Sequence, residues 1–538
     1  MNTNSRTALA MAIGVALATS HGHAATFNVT NTNDSGPGSL RQAIEDAGSN
    51  SESDTISLSG VSGATIMLSS GELAISDDFI TIEGAAATVD ANRNSRVFRV
   101  TNASFVASDL TVTGGFASDD SGIGGDSGGG IYAAGSDLVL TNLRVVNNES
   151  LGGGGGVATE SNLLIGLSGG LQINDSIISG NTAGESGGGI RAYLYESVSI
   201  ANSMITGNRT TDSMGREAAN ESGPRSDLIE RFSPILHSRG SFTRAAAGAL
   251  IQAGGDIELV NSTVSGNTAL SDIGIVGGAE LTSFNGSVLI EGSTISNNTA
   301  AVFGGITALS PMEVTLRNST ISGNSTTDMV AGGAFSAGAE DVVNPILAIE
   351  FSTIAENSAG GSVGGVALML DSTPALISGS VISGNAAALD PDLAISTEPL
   401  TQVDMQWSLV GVDPSTGILN KDPASQSLAG LDPRLGPLSD NGGPTQTMLP
   451  SDDSPLLNVI PPGNIDCGVA ISVDQRGQLR PFSTGCDVGA IETEVEGSPV
   501  PLPESVAVPV LDRIGLLIMA GVLSIVGLLG MRRRSKII

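Results

Sequence analysis

The sequence predicts an all-β protein, a right-handed parallel β-helix with about three short strands per coil, an N-terminal helical cap and a C-terminal transmembrane helix. Three observations predict it. A phrase, apolar-x-apolar-x-x-Ser-x-(Val/Ile)-x-x-Asn, occurs seven times, ending at Asn181, Asn208, Asn267, Asn298, Asn324, Asn357 and Asn385. The copies recur every 26–33 residues apart from one gap of 59, and a steady period of that size marks a solenoid. Glycine is abundant at 72 residues while aromatics make up 3%, which suits tight corners around a slender core.

Residues 1–25 read as a secretory signal peptide. Arg6 supplies the charge, Ala8–Ala18 the apolar stretch, and cleavage follows Ala24 or Ala25. Residues 26–50 form the cap: a strand leads through Gly36-Pro37-Gly38 into a short helix with a Ser39/Gln42 capping box. Leu40, Ala43, Ile44 and Ala47 lie on its apolar face, suited to cover the first turn's open edge.

Residues 51–430 form the β-helix. Its strands are expected after the Gly-Gly pairs, at the apolar-x-apolar pair and at the Val/Ile, as in Val314-Thr315-Leu316-Arg317. Gly188-Gly189, Gly277-Gly278, Gly304-Gly305, Gly332-Gly333 and Gly364-Gly365, with Ser-Gly-Asn and Asn-Asn, mark bends that need positive φ. The seven asparagines are expected to stack at one corner and hydrogen-bond along a ladder. Arg209–Arg244 lacks the phrase, so 209–244 is expected to be an insertion on the flank.

Residues 431–497 change character to a Gly/Pro-rich closing cap holding Cys467 and Cys486. An isolated cysteine pair in an exported chain reads as a disulfide. Arg476, beside Asp474, Asp487 and Glu492, is expected to sit in a structural ion pair. Residues 498–512 form a Pro-rich linker, 513–531 an apolar span long enough to cross a membrane, and 532–538 a basic cytoplasmic tail with Arg532, Arg533 and Arg534.

Several of these stretches resemble known families. Thr32-Asn33-Asp34 through Ala43-Ile44 resembles the entry segment of bacterial β-helix surface proteins. Asn181-Thr182-Ala183 followed by Gly188-Gly189-Ile190 is similar to the repeats of polymorphic outer membrane proteins, with Ile or Val where those carry Phe. Leu435–Thr447, Ser454-Pro455, Asp474–Gly477 and Cys486–Glu492 resemble the choice-of-anchor Q module, which precedes surface anchors. The tail is similar to IPTL-CTERM sorting signals. Pro509, Leu511 and Gly515 match, while Asp512-Arg513-Ile514 replaces the usual Ser-Glu-Trp. That resemblance implies an exosortase-like enzyme as a partner.

The formal net charge of −32 gives no basic footprint for nucleic acid. No Lys precedes Lys421, Asp77-Asp78 and Asp119-Asp120 have no companions in sequence, and one Trp offers little stacking surface for sugars. No cofactor, metal ligand or catalytic residue is assigned. The expected function is an exported, surface-anchored adhesin or structural element. Its partners are the membrane, through the C-terminal helix, and a host or matrix polysaccharide or protein. The alternative is a carbohydrate-active β-helix enzyme on acidic polysaccharides, which should show a groove of clustered Asp, Glu and Arg.

Overall fold

The computed structural model describes residues 24–494 except 50–51, 77, 119–124, 162–168, 195, 212–245, 270–275, 328–331, 340–345, 371–374, 396–401, 416, 423–424 and 426. Alternation at period two builds each strand. In Val198–Ala201, Val198 and Ile200 are buried while Ser199 and Ala201 face outward. The inward side chains then stack turn upon turn through parallel pairing. Ile173, Ile200, Leu259, Ile290, Leu316, Ile349, Ile377 and Met405 form one column. Ile178, Ile205, Val264, Ile295, Ile321, Ile354, Ile382 and Val410 form another. Each such side chain contributes roughly 1.5–3 kcal/mol by leaving water.

The result is a parallel β-solenoid. One sheet holds 11 strands, a single strand from each of eleven turns. A 25-stranded sheet joins the two stacks that follow, because Phe79–Asp90 and Ser104–Thr113 run through both. A 7-stranded sheet is made of two-residue strands, which directly follow the asparagine in every turn but the first, where Phe116–Ala117 follows Gly115; Thr182–Ala183 is one of them. A regular turn therefore holds one strand more than the sequence predicts. Two residues are too few to display a period.

The gap of 59 is one turn carrying an excursion. Ile190 pairs with Ala249 and Val198 with Ile257, with no intervening coil. Arg209–Thr210 belongs to the solenoid, and residues 212–245 lie outside the described residues. The last partial turn, Ile418–Lys421 and Leu428–Ala429, falls beyond the region where the phrase is recognisable.

The bends correct the sequence reading in one respect. Positive φ occurs before the ladder asparagine, as at Gly180, Gly207 and Asn297, and before the phrase serine, as at Asp175, Asn202 and Asn261. The Gly-Gly pairs are small for another reason. A Cβ on Gly189 would lie 2.6 Å from the Gly248 carbonyl oxygen and 2.9 Å from Asn208 Nδ2. The pair at Gly332-Gly333 is also shifted by one: Ile306 pairs with Phe335, so Ala334 stands where Gly305 stands one turn earlier.

The helix Leu40–Ala47 forms with Ser39 Oγ accepting from Gln42 N at 3.2 Å, but the capping box is only half made, because Gln42 Nε2 donates to Asp46 Oδ1 and Ser39 N to Gly36 O. Its buried residues join the main core. Residues 431–494 do not lie where a closing cap would. They run along the flank, and Asn318, Thr320 and Thr353 of the solenoid bond to Val473, Gln475 and Ala490. Among the described residues no helix is long and apolar enough to cross a membrane. The span 513–531, Pro509, Leu511, Gly515 and Arg532–Arg534 lie outside them, as do residues 1–23.

Candidate functional site

The seven asparagines form one buried column, extended by Asn148 at one end and by Asp392 at the other. Each Nδ2 donates to the Oδ1 of the next asparagine at 2.9–3.1 Å. The backbone N of each donates to that same Oδ1. The second amide hydrogen goes back to a carbonyl of the preceding turn, as from Asn181 to Val145 O at 2.9 Å. Asn385 gives Nδ2 and N to Asp392 Oδ1, both at 3.0 Å, while Asp392 Oδ2 accepts from Val412 N at 2.9 Å. Burial pushes the Asp392 carboxyl above its ordinary range, and the Asn385 donors pull it back. Asp392 escapes the sequence reading because it is an aspartate only seven residues beyond Asn385.

A second ladder runs beside the first. Ser176, Ser203, Ser262, Ser293, Ser319, Ser352, Ser380 and Ser408 each accept at Oγ from the backbone N of the preceding serine, Ser176 from Leu143 N. Each hydroxyl donates to the carbonyl two residues earlier, as Ser203 does to Ala201 O at 2.7 Å. All but Ser408, which lies beyond the last copy, are the phrase serines, to which the sequence reading assigns no role.

The flank seam is built on an outward column of the solenoid. Thr263, Thr294, Thr320, Thr353, Val381, Leu409 and Leu428 stand in register. The column is buried from Thr294 to Leu409, with residues 431–494 against it. Gln475 bridges the two parts: Oε1 accepts from Thr320 Oγ1 at 2.6 Å, and Nε2 donates to Thr294 Oγ1 at 3.0 Å. Phe351, Val381 and Leu409 pack with Leu456, Ile460 and Val488 around the Cys467–Cys486 disulfide. A cavity of about 310 Å³ opens on the seam, lined by Asn261, Glu291, Asn318, Asp474, Arg476 and Gly477 among others.

Arg476 pairs with Asp474 at 2.9 Å. It does not pair with the carboxylates of Asp487 or Glu492, which the sequence places beside it. The Glu492 carboxylate belongs with Arg480, a residue the sequence reading overlooks, whereas the Asp487 carboxylate is held by Asn458 N and Thr493 and meets Arg480 only through its backbone carbonyl. Arg480 Nη1 lies 3.1 Å from Glu492 Oε2 and donates to Asp487 O at 3.1 Å. Its guanidinium sits 4.6 Å over the Phe351 ring. Burial pushes Glu492 up to about 7 against the pull of Arg480 and raises Asp487 as well.

A third arrangement lies on the outer face of the 11-stranded sheet. Arg99, Tyr132, Ala158 and Arg191 occupy successive register positions. Glu72 bonds Arg99 and lies 3.4 Å from Arg96. The Arg96 guanidinium sits 5.0 Å over the Tyr132 ring, the Tyr132 hydroxyl donates to Glu160, and Glu160 meets Arg191 at 4.0 Å. Burial, and behind it the charge of Glu160, pushes the Tyr132 phenol above its ordinary range. The sequence hides this network because its members lie a full turn or more apart. Arginine and tyrosine at outward positions of the strands after Gly-Gly were the available signal. Asp119-Asp120 and Asp77 lie outside the described residues. Among the described residues, no three His, Cys, Asp or Glu side chains converge as metal ligands would.

No protein-family model matches the chain, and no curated protein matches it in sequence. Among solved structures, the crystal structure of pectate lyase Pel9A matches with a TM-score of 0.35 and 12% identity, over 87% of this chain and 96% of that chain.

Proposed function

We propose that this chain is an exported β-solenoid, tethered to the cell envelope, that acts as an adhesive or structural surface element and not as a catalyst. The observation that carries the proposal is the internal closure of its charged clusters. Asp474 accepts from Arg476, Gln478 N and Glu492 N. Asp487 accepts from Asn458 N and Thr493, and Glu492 from Phe482 N, Asp487 N and Arg480. On the sheet face, Glu72 and Glu160 answer the arginines, and Tyr132 is 2% exposed. A general acid or base must reach substrate with a pKa near the working pH, and the Tyr132 phenol is pushed the wrong way.

In this reading residues 1–25 direct export and the helix Leu40–Ala47 covers the first turn. Residues 431–497 act as a choice-of-anchor Q-like module, 498–512 as a stalk, and 513–531 as the membrane span. Arg532–Arg534 hold the C-terminus inside. An exosortase-like enzyme acting at Pro509, Leu511 and Gly515 passes the solenoid to the surface, where it meets a matrix or host polysaccharide or protein. Fractionation of cells carrying the intact chain and a Pro509→Ala, Leu511→Ala version tests the address. Full-length protein of both versions in the inner membrane would remove the sorting step.

The second reading, an enzyme on acidic polysaccharides, is favoured by the grouping of Arg96, Arg99 and Arg191 with Tyr132 and Glu160. The purified chain is expected to generate no unsaturated or reducing ends from polyuronates. Turnover that disappears in Tyr132→Phe would establish the enzyme instead.

A further inference from the structure

We infer that the C-terminal end of the solenoid is closed by its own last turn, where Lys421 occupies a core column and keeps a second copy of this chain from adding to the open edge. The helix Leu40–Ala47 packs on the core at the other end. Residues 431–494 lie along the flank, as the bonds of Gln475 to Thr320 and of Ala490 to Thr353 show, so the C-terminal end has no separate cap there. Among the described residues, Ile418–Lys421 pairs on one side only, with Gln402–Gln406. A strand so placed presents a row of unpaired backbone groups to any other strand. Ile418 is 45% exposed and Val412 47% exposed, which adds apolar surface to that edge.

The column that ends here is the one containing Ile173 and its successors. It is apolar down to Met405, which is fully buried. The next position in register is Lys421. The neighbouring inward column runs through Ala375 and Val403 to Leu419, which still packs against the core. Alternation thus puts Leu419 and Lys421 on the inward side of the strand, with exposed Ile418 and Asn420 on the other. A lysine in such a place lays its methylenes over apolar neighbours and carries its ammonium out to water. The Lys421 side chain is 31% exposed. The sequence has one other lysine, Lys536.

The ammonium is held in place. Lys421 Nζ donates to both carboxylate oxygens of Asp413, at 2.7 and 2.6 Å. The residues on either side of Asp413 are pinned to the preceding turn. Val412 N donates to Asp392 Oδ2 at 2.9 Å, and Ser415 N and Oγ donate to the two carboxylate oxygens of Asp390 at 2.6 and 2.9 Å. The chain then crosses the last strand of the 11-stranded sheet, because a Cβ on Gly417 would lie 2.6 Å from Ile395 Cβ. Another strand laid against Ile418–Lys421 would strip water from Lys421 and Asp413 and set its own side chains over a charge. Removing such a pair from water costs more than its mutual attraction offsets, and an inward-pointing charge on an edge strand guards against pairing for that reason. The partner excluded is a second copy meeting this one about a two-fold axis. That axis sets like end against like end and runs the two edge strands antiparallel, whereas the helix-covered end offers no such edge.

The test is made on the full-length chain in detergent. Lys421→Met continues the column as Met405 does. The parent is expected to sediment as one chain and Lys421→Met at twofold the mass, with unchanged far-ultraviolet circular dichroism. Adding Leu419→Lys to that variant restores a charge on the inward side and should return one chain. Acetylation of the folded parent removes the lysine charge and does not depend on a variant folding. The acetylated parent should double in mass, whereas Lys421→Arg treated in the same way should not, because its guanidinium is not acylated. One-chain mass for both Lys421→Met and the acetylated parent overturns the proposal. So does a parent already at twofold mass that Lys421→Met leaves unchanged, or a doubled Lys421→Met that Leu419→Lys fails to separate.

Discussion

A ladder of amides needs a different residue at its end from those in its middle. Asn324 gives Nδ2 to Asn357 Oδ1 and to Ile295 O, so Asn324→Asp turns an oxygen toward two acceptors. Asp392 accepts on both oxygens, so Asp392→Asn turns an N–H₂ toward a donor. Each change is expected to cost about 1–3 kcal/mol, read as a lower urea midpoint with an unchanged slope. Either variant unfolding at the parent midpoint would count against the ladder as a stabilising device. Glu492 supplies a pH signature. Its folded-state pKa of about 7 lies above the ordinary glutamate value of 4.5, so the native state binds this proton more tightly than the unfolded chain does. Its contribution is present below the lower value and is lost as pH rises through the upper one. Glu492→Gln should flatten the fall in melting temperature across that window, even though the amide misplaces a donor. The repeated asparagines are legible in the sequence because each sits at a fixed offset from its serine. Asp392 and Glu492 are not, because their roles depend on neighbours reached only through the folded chain.

At the scale of an element, the flank module is held by one bridging side chain, a small apolar core and a disulfide. Gln475 Nε2 donates to Ser293 O, Thr294 Oγ1 and Thr445 Oγ1. Gln475→Ala removes the donor to Thr294 Oγ1 and Thr445 Oγ1 and the acceptor of the Thr320 hydroxyl, and limited proteolysis should then cut residues 431–494 several-fold faster while the solenoid resists. Cys467→Ser should lower the module's stability by roughly 2–4 kcal/mol, and adding a reductant to the parent should reproduce the loss. Equal melting with and without reductant would show that the crosslink adds nothing. The sequence shows that residues 431–497 differ in composition, but it does not show where they dock. A strand's alternation reports which side faces the core and is silent on what covers the other side. Val381 and Leu409 broke the alternation at outward positions and were the trace that something lay against them.

Across the whole molecule, turn length and turn register are separate. Asn208 bonds Asn267 at 3.1 Å over a separation of 59 residues, as Asn181 bonds Asn208 at 3.0 Å over 27. Replacing 212–245 with two residues, as Glu185-Ser186 join Gly184 to Gly187, should therefore keep the solenoid, with a melting temperature within a few degrees of the parent and unchanged far-ultraviolet circular dichroism. Loss of the β spectrum would make the excursion part of the core. The fold was readable because it repeats, and each repeat restates the same inward columns. The sheet-face network was not, because Arg99, Tyr132, Glu160 and Arg191 meet only after successive turns have stacked. The ladder also has a direction. Every Oδ1 in it faces the turn before, and every backbone N waits for the turn after. A chain threaded out of a cell N-terminus first would lay down turns in that order, each arriving turn bringing the acceptor that its predecessor lacks. The growing edge thus favours its successor until Asp392 arrives, accepts the last pair of hydrogens and offers none in return. In such a column the aspartate is a full stop for the amides alone: the serine ladder and the inward strands run on past it, to Ser408, Met405 and Val410.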